Sequence, residues 1–259
     1  MYRTFRDEAV GGEIRTKQFQ EVEQSQLKDL FVQYNVFDMP PDLPIYRITA
    51  AAHVLGDVKN STLTHSRINK TNWDDGHENP LLGRTFKTAE GESGTLAITE
   101  NMFGQCWSRE PLSGSHWGTF RHGLPSVRLQ STPRRLLAGV MDATNPYYVL
   151  QHSIGKMIYR NQSEIDAFFS DPDFTKHLDP LGTRAMLSLL RLRTALSDED
   201  EVRLLFDYHP SNRWDQQFVR LQEPRAAVRF TWEGAITSVE GESGLSATLL
   251  SQVRTALGI

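Results

Sequence analysis

The chain has 259 residues, a formal net charge of −4 and 39% apolar residues, 10% of all residues being aromatic. This excludes a disordered chain and a global basic field, and it leaves ample length for the core of one large domain or a domain with an appendage. The single cysteine, Cys106, excludes an internal disulfide. No apolar run reaches membrane-spanning length and residues 1–10 lack a signal-peptide core, so a soluble, cytoplasmic protein without membrane contact is expected.

Residues 1–43 read as a helical extension. Leu27, Leu30, Phe31 and Tyr34 recur at helical spacing, which predicts an amphipathic helix over about 20–35. Its apolar face either covers the edge of its own domain or binds a partner. Pro40-Pro41-Asp42-Leu43-Pro44 ends it as a stiff connector. The main domain then runs over 44–259. Ile45-Tyr46-Arg47-Ile48 is a short strand, with Thr49 placed to cap a helix that buries Ala52, Leu55 and Val58. Arg47 interrupts an otherwise apolar strand. A buried arginine needs an anion, either a structural carboxylate or a substrate phosphate or carboxylate.

A further strand is expected over 61–68, followed by a polar loop over 69–82 that carries Trp73. That loop either lines a site or is pinned to the core by the tryptophan. Strands follow at 94–98 and 103–108. In the second, Phe103, Gln105 and Trp107 alternate with Gly104, Cys106 and Ser108. A strand at 126–130, a helix at 133–141 with proline near its start, and a hairpin over 147–159 come next. Ser163 and Asp166 mark a helix start before Phe168 and Phe169. The leucine-rich stretch 183–196 predicts a long helix with Arg184, Arg191 and Arg193 outward.

Ser197-Asp198-Glu199-Asp200-Glu201-Val202-Arg203-Leu204-Leu205-Phe206 starts acidic and becomes a near-continuous apolar run. Read as the mouth of a buried strand, it points Glu199 and Glu201 the same way, with Arg203 as a local ion-pair partner. Strands at 227–232 and 235–239 and a helix at 243–257 close the chain. Strands and helices intersperse without regular alternation, which makes the fold class α+β.

No zinc-protease, Cys-x-x-Cys, phosphate-loop or dinucleotide-fingerprint motif is present, and the eight histidines are scattered, so no metal site is expected. A Cys106–His116 nucleophile pair is conceivable, although a lone cysteine in an apolar strand is more often core packing. Ser113 and Ser115 flank glycine without forming a nucleophile elbow. Arg134, Arg135, Arg184, Arg191 and Arg193 offer either a nucleic-acid surface or an ordinary solvated face.

Three segments occur in order: Ile45-Tyr46-Arg47-Ile48-Thr49, then Gly104-Gln105-Cys106-Trp107-Ser108 with Trp117 downstream, then Glu199-Asp200-Glu201-Val202-Arg203. In this order the chain resembles an uncharacterised bacterial family, domain of unknown function two-nine-seven-one, over roughly 44–259. Asn79-Pro80-Leu81 is only a loose match to that family's second pattern. The same segments resemble the motif order of ADP-ribosyltransferases. Cys106-Trp107-Ser108 departs from the usual middle element of that fold.

The resemblance implies a mixed, split β-sheet and NAD as co-substrate. It implies Glu201 as the acid that stabilises positive charge developing on the ribose, and Glu199 as the group that orients or deprotonates the acceptor. Arg47 would hold the NAD phosphates or ribose, Ser108 would brace Glu201 or the ribose, and Tyr46, Trp73 or Trp107 would stack on nicotinamide. It further implies a toxin of toxin–antitoxin or anti-phage modules that modifies RNA or protein. The arginine-bearing stretch 183–196 would meet an RNA acceptor, and the N-terminal helix an antitoxin or chaperone. A non-catalytic binding module, an NAD glycohydrolase and a Cys106-dependent hydrolase are the alternatives.

Overall fold

The structure is a computed structural model. It describes residues 8–18, 24–69, 73, 78–87, 91–111, 114–120, 123–141, 151–170, 177 and 183–259. The chain enters through α1 (Glu8–Gln18) and α2 (Gln24–Asn35), then β1 (Val36–Phe37), β2 (Ile45–Ala50), α3 (Ala51–Asn60) and β3 (Thr62–Arg67). A small pair, β4 (Thr85–Lys87) and β5 (Ser93–Thr95), precedes a 3-10 turn (Ala97–Asn101) and β6 (Met102–Ser108). Next come α4 (Ser115–Phe120), β7 (Ser126–Ser131), α5 (Pro133–Val140), β8 (His152–Lys156), β9 (Ile158–Arg160), α6 (Gln162–Ser170), α7 (Thr183–Leu189) and β10 (Arg191–Arg193). A second 3-10 turn (Thr194–Glu199) leads into β11 (Glu201–Asp207), α8 (Arg213–Phe218), β12 (Val219–Gln222), β13 (Arg225–Arg229), β14 (Ser238–Gly241) and α9 (Ala247–Leu257).

The fold is mixed α+β around a mostly antiparallel sheet. The order β1-β8-β11-β6-β2-β7-β14 forms one path, and β3, β13 and β12 branch from it. The branch point is β6. Its full length pairs with β11. Its other edge pairs with β2 only at Tyr46 opposite Ser108, and with β3 at Ser66 opposite Gly104 and Arg67 opposite Phe103. The sheet therefore splits along that second edge of β6, where Gln105, Cys106 and Trp107 pair with neither β2 nor β3.

Strand alternation sends the two sides of β11 to different cores. Val202 and Leu204 join Ile45, Trp107, Val127, Leu129 and Ile154 in the main cluster, which α2, α3, α5 and α9 cover with Phe31, Val54, Leu136 and Val253. Leu205 faces the opposite side and packs with Met102, Met157, Met186, Leu189 and Leu190. Gly155 lies opposite Arg203 in the β8–β11 register. A Cβ there would meet a Leu190 methyl at 2.5 Å and the Phe37 Cβ at 3.0 Å, so glycine lets β1 and Leu190 pack this closely.

The sequence reading places several boundaries well and others badly. Thr132 caps α5 through the Arg135 amide with proline in the first turn, and Ser246 caps α9 through the Leu249 amide. Thr49 does not cap α3; it lies within β2, and Ala50 is the N-cap. Asn161, not Ser163, caps α6: its side chain accepts the Glu164 amide N–H, and its own amide donates to Glu164. Residues 152–156 and 158–160 are not one hairpin but strands of two sheets. The expected helix over 183–196 ends at Leu189, because Arg191-Leu192-Arg193 buries only its middle residue and pairs with β9. Nor does residue 43 mark a break in packing. Phe31 and Val32 of α2 belong to the main cluster, and β1 extends the sheet beside β8. The apolar face of α2 is spent on the chain's own core, so it is not open to a partner.

Candidate functional site

Three motif segments fall on adjacent strands. Ser108 of β6 lies opposite Tyr46 of β2 on one side and Glu201 of β11 on the other. Tyr46, Ser108 and Glu201 thus form a row across the sheet on one face. Glu199 is not on the strand. It ends the second 3-10 turn, and Asp200 follows with φ of 43°. Aspartate is among the residues that tolerate this left-handed conformation. The kink is held by Arg109, whose guanidinium donates to Asp200 and whose amide donates to the Asp200 carbonyl at 3.1 Å. The expected strand-wise alignment of Glu199 with Glu201 is therefore replaced by a turn, yet both acids line one small pocket of about 40 Å³.

Below that pocket lies a buried charge cluster. Arg203 is fully buried. Its Nε and Nη2 donate to the two oxygens of Glu201 at 2.9 and 3.0 Å, Nη2 also donates to Glu78 at 2.6 Å, and Nη1 donates to the Leu189 carbonyl at 3.0 Å. Burial works against the guanidinium charge, but Glu201 and Glu78 outweigh it and raise its pKa above the usual arginine value. Trp73 covers the cluster, with the Arg203 guanidinium 4.7 Å from its ring centroid. The local ion-pair reading of Arg203 holds, and a second acid 125 residues away in sequence completes it. The Glu201 amide donates to the Tyr159 hydroxyl at 2.8 Å, which fixes the strand start as well.

Arg47 occupies the alternate register of β2, opposite Leu129, so it leaves the sheet on the face away from Tyr46 and Ser108. The split beside β6 lets it still reach the small pocket, whose wall includes Tyr46, Arg47, Trp107, Ser108, Glu199 and Glu201. A cleft of about 630 Å³ opens between β2, α3 and β3. It shares Arg47, Ile48, Trp107 and Phe120 with the pocket. The Arg47 Nη1 is buried without a hydrogen-bond partner. Burial lowers the Arg47 pKa, with only partial relief from Cys106 and Asp57. Asp57 is itself occupied by the Thr64 amide and the Thr62 and Thr64 hydroxyls. Arg47 is thus a cation facing a cleft, with no carboxylate among the described residues hydrogen-bonded to it, and the cleft has a volume ordinary for a cofactor-sized ligand.

Other expectations sort against this geometry. Trp107 is core, 3% exposed, and its indole N–H donates to Gln105. Trp73 packs on Arg203 and lines neither cavity. The Cys106 thiol is pushed well up by burial and then by the Glu201 charge, so a thiolate nucleophile is disfavoured. Ser113 lies outside the described residues, as do 70–72, 74–77 and 147–150 of the loop and hairpin segments. Arg134 is tied to Asp29 and Asp42, and Arg135 donates to the Gly234 carbonyl. Glu78 and Phe120 were missed by sequence reasoning. The one signal for Glu78 was the arginine within an apolar strand, which demands more counter-charge than a single neighbour.

Among the described residues no group of histidine, cysteine and carboxylate side chains is placed to hold a metal ion, and no helix is long and apolar enough to cross a membrane. Comparison with family models, curated proteins and solved structures finds no match to this chain.

Proposed function

We propose that the chain is an NAD-dependent ADP-ribosyltransferase with a split-sheet transferase fold. It modifies a cellular macromolecule, RNA ahead of protein, as the toxin of a toxin–antitoxin or anti-phage module in the cytoplasm. The observation that carries the reading is the junction of two cavities. A cofactor-sized cleft with a buried cation, Arg47, adjoins a pocket walled by Glu199, Glu201, Ser108 and Tyr46.

In this reading the NAD pyrophosphate supplies the anion that Arg47 lacks. The nicotinamide ribose lies at the pocket mouth. Each Glu201 oxygen takes an Arg203 N–H, which leaves each with acceptor capacity for a ribose hydroxyl. The carboxylate is held rigidly, so it stabilises the oxocarbenium character at the anomeric carbon without reorganising. The bond from that carbon to the nicotinamide nitrogen breaks, and nicotinamide leaves with the bonding pair. A bond to an acceptor oxygen or nitrogen forms, and Glu199 takes the acceptor's proton. The Ser108 hydroxyl accepts the Glu110 amide at 3.1 Å, which leaves its own proton for Glu201 or the ribose.

One observation favours a second reading, a non-catalytic nucleotide-binding module. The Glu78–Arg203–Glu201 cluster gives Glu201 a structural role that needs no substrate. Labelled NAD separates the two when offered to purified protein with cell lysate, total RNA or DNA. The transferase reading expects label in one pool with wild type and loss of at least about a hundredfold in Glu201→Gln and in Glu199→Gln. Nicotinamide release without label transfer makes the protein a glycohydrolase. Saturable NAD binding with no turnover leaves the binding module.

A further inference from the structure

The cleft beside Arg47 holds a second cation. Its wall continues past Gln105 to Thr64 and Ser66 of β3 and to Arg225, the first residue of β13. Strand registers fix where these stand. Arg225 lies opposite Ser66, and Ser66 lies opposite Gly104 of β6. Gly104 and Ser108 are four residues apart on that strand, so they share one face. Ser66 and Arg225 therefore stand on the face that carries Tyr46, Ser108 and Glu201, at the other end of the split. Four residues of strand separate the two levels by about 13 Å. Arg225 is exposed, and among the described residues its guanidinium meets no carboxylate. Glu223, two residues earlier, is held by Arg67, whose Nε donates to it at 2.8 Å. The Ser66 hydroxyl makes no hydrogen bond among the described residues. Asp57 is the one acid among the residues lining the cleft. Its oxygens accept the Thr64 amide at 3.1 Å, the Thr64 hydroxyl at 2.6 Å and the Thr62 hydroxyl at 3.3 Å.

We propose that the cleft takes a dinucleotide phosphorylated on its adenosine ribose, NADP in preference to NAD, with Arg225 and Ser66 holding the 2′-phosphate. The inference deepens the transferase reading and rests on it for the orientation of the dinucleotide. A site that selects an unmodified ribose sets a carboxylate against its hydroxyls, whereas an arginine accommodates a 2′-phosphate. Here the far end presents the arginine, and the cleft's one acid is already bonded three times. With the nicotinamide ribose at Glu201 and the pyrophosphate on Arg47, the adenosine ribose of an extended dinucleotide falls toward the level of Ser66 and Arg225. A guanidinium fork bonds a phosphate through two N–H groups, and the Ser66 hydroxyl adds a third donor. Arg225 contacts nothing that reacts. It sets which dinucleotide is bound.

The test is calorimetric titration of the full chain with NADP and NAD, and with adenosine 2′,5′-bisphosphate and AMP, which carry no nicotinamide. Wild type is compared with Arg225→Ala and with a control, Arg220→Ala, which removes an exposed arginine on β12 that lines neither cavity. Thermal melts check folding, and Arg225→Gln serves if the alanine variant melts early. Wild type is expected to bind NADP about tenfold or more tightly than NAD, and the bisphosphate about tenfold or more tightly than AMP. Arg225→Ala is expected to bring both ratios to within about twofold of unity, while the control keeps them. Equal affinity for the two dinucleotides in wild type, tighter binding of NAD, or a preference that survives Arg225→Ala would overturn the proposal. Nicotinamide release measured on the same preparations keeps the two ideas apart. Release from both dinucleotides without preference sinks the 2′-phosphate subsite and spares the transferase. An Arg225-dependent preference without release does the reverse, and absence of binding by all four probes overturns both.

Discussion

The two ends of β11 solve the same problem in different ways. Each places carboxylates in the protein interior, and each must compensate their charge. At the Glu201 end the compensation is a permanent cation, Arg203, bonded to Glu201 and Glu78. At the Asp207 end it is partial and protonatable. Asp207 meets the His209 imidazole at 3.0 Å, and Asp215 accepts the His209 amide at 2.6 Å and the Gln151 side chain at 3.1 Å. One side-chain oxygen of Asp207, one of Asp215 and the Gln151 Oε1 are buried without a partner among the described residues. Burial pushes the Asp215 carboxyl up to about 6, and the hydrogen bond to Asp207 raises His209 above the usual histidine value. The first end is built to hold one carboxylate in one orientation. The second changes its protonation within the physiological range.

The largest effect expected from breaking this contrast is at Arg203. Arg203→Met strands two carboxylates without their cation and costs about 3–5 kcal/mol, measured by chemical denaturation. The Asp207 end gives a pH signature instead. The folded state holds the Asp215 proton after the unfolded chain has lost it, so wild-type stability falls as pH rises from about 4 to about 6. His209 adds to the same trend. Its contribution is complete below about 6.5, the unfolded value, and disappears as pH rises through the raised folded one. Asp215→Asn removes the carboxyl's share, about 2–3 kcal/mol of decline between pH 4 and 6, and leaves the smaller histidine step at higher pH. Denaturant midpoints at a series of pH values measure both.

A smaller effect of opposite sign is expected at the cleft. Among the described residues no carboxylate is bonded to Arg47, so Arg47→Gln is expected to raise the stability of the ligand-free protein by about 1–2 kcal/mol, by relief of a buried charge. A structural arginine would give a loss. Smallest of all, Glu199→Gln on the second 3-10 turn shifts stability by less than about 0.5 kcal/mol while abolishing label transfer, which separates chemistry from folding.

Sequence reasoning reached the strands that matter and stopped at what crosses between them. The alternation in Met102–Ser108 and the apolar run after Glu201 are local patterns, and both elements form where they predict. Arg203 as partner of Glu201 is legible because both lie on one strand, two residues apart. Glu78 is not legible, since its place depends on how a distant loop packs. The Asp200 kink is a single left-handed residue in a run of acids that also suits a strand start. The leucine-rich stretch after Thr183 fits a helix by composition, and only pairing with β9 reveals that Arg191-Leu192-Arg193 alternates. The split beside β6, which brings Arg47 to the pocket from the opposite face, is a property of topology and has no local signature.

The central claim is that the cleft and the pocket form one dinucleotide site with Arg47 at the junction. Calorimetric titration of NAD into wild type, Arg47→Gln and Glu199→Gln tests it directly. The account predicts saturable binding by wild type, loss of about tenfold or more in Arg47→Gln, and near-wild-type affinity in Glu199→Gln, whose role lies in the chemical step. Absence of NAD binding, or binding indifferent to Arg47, would contradict it.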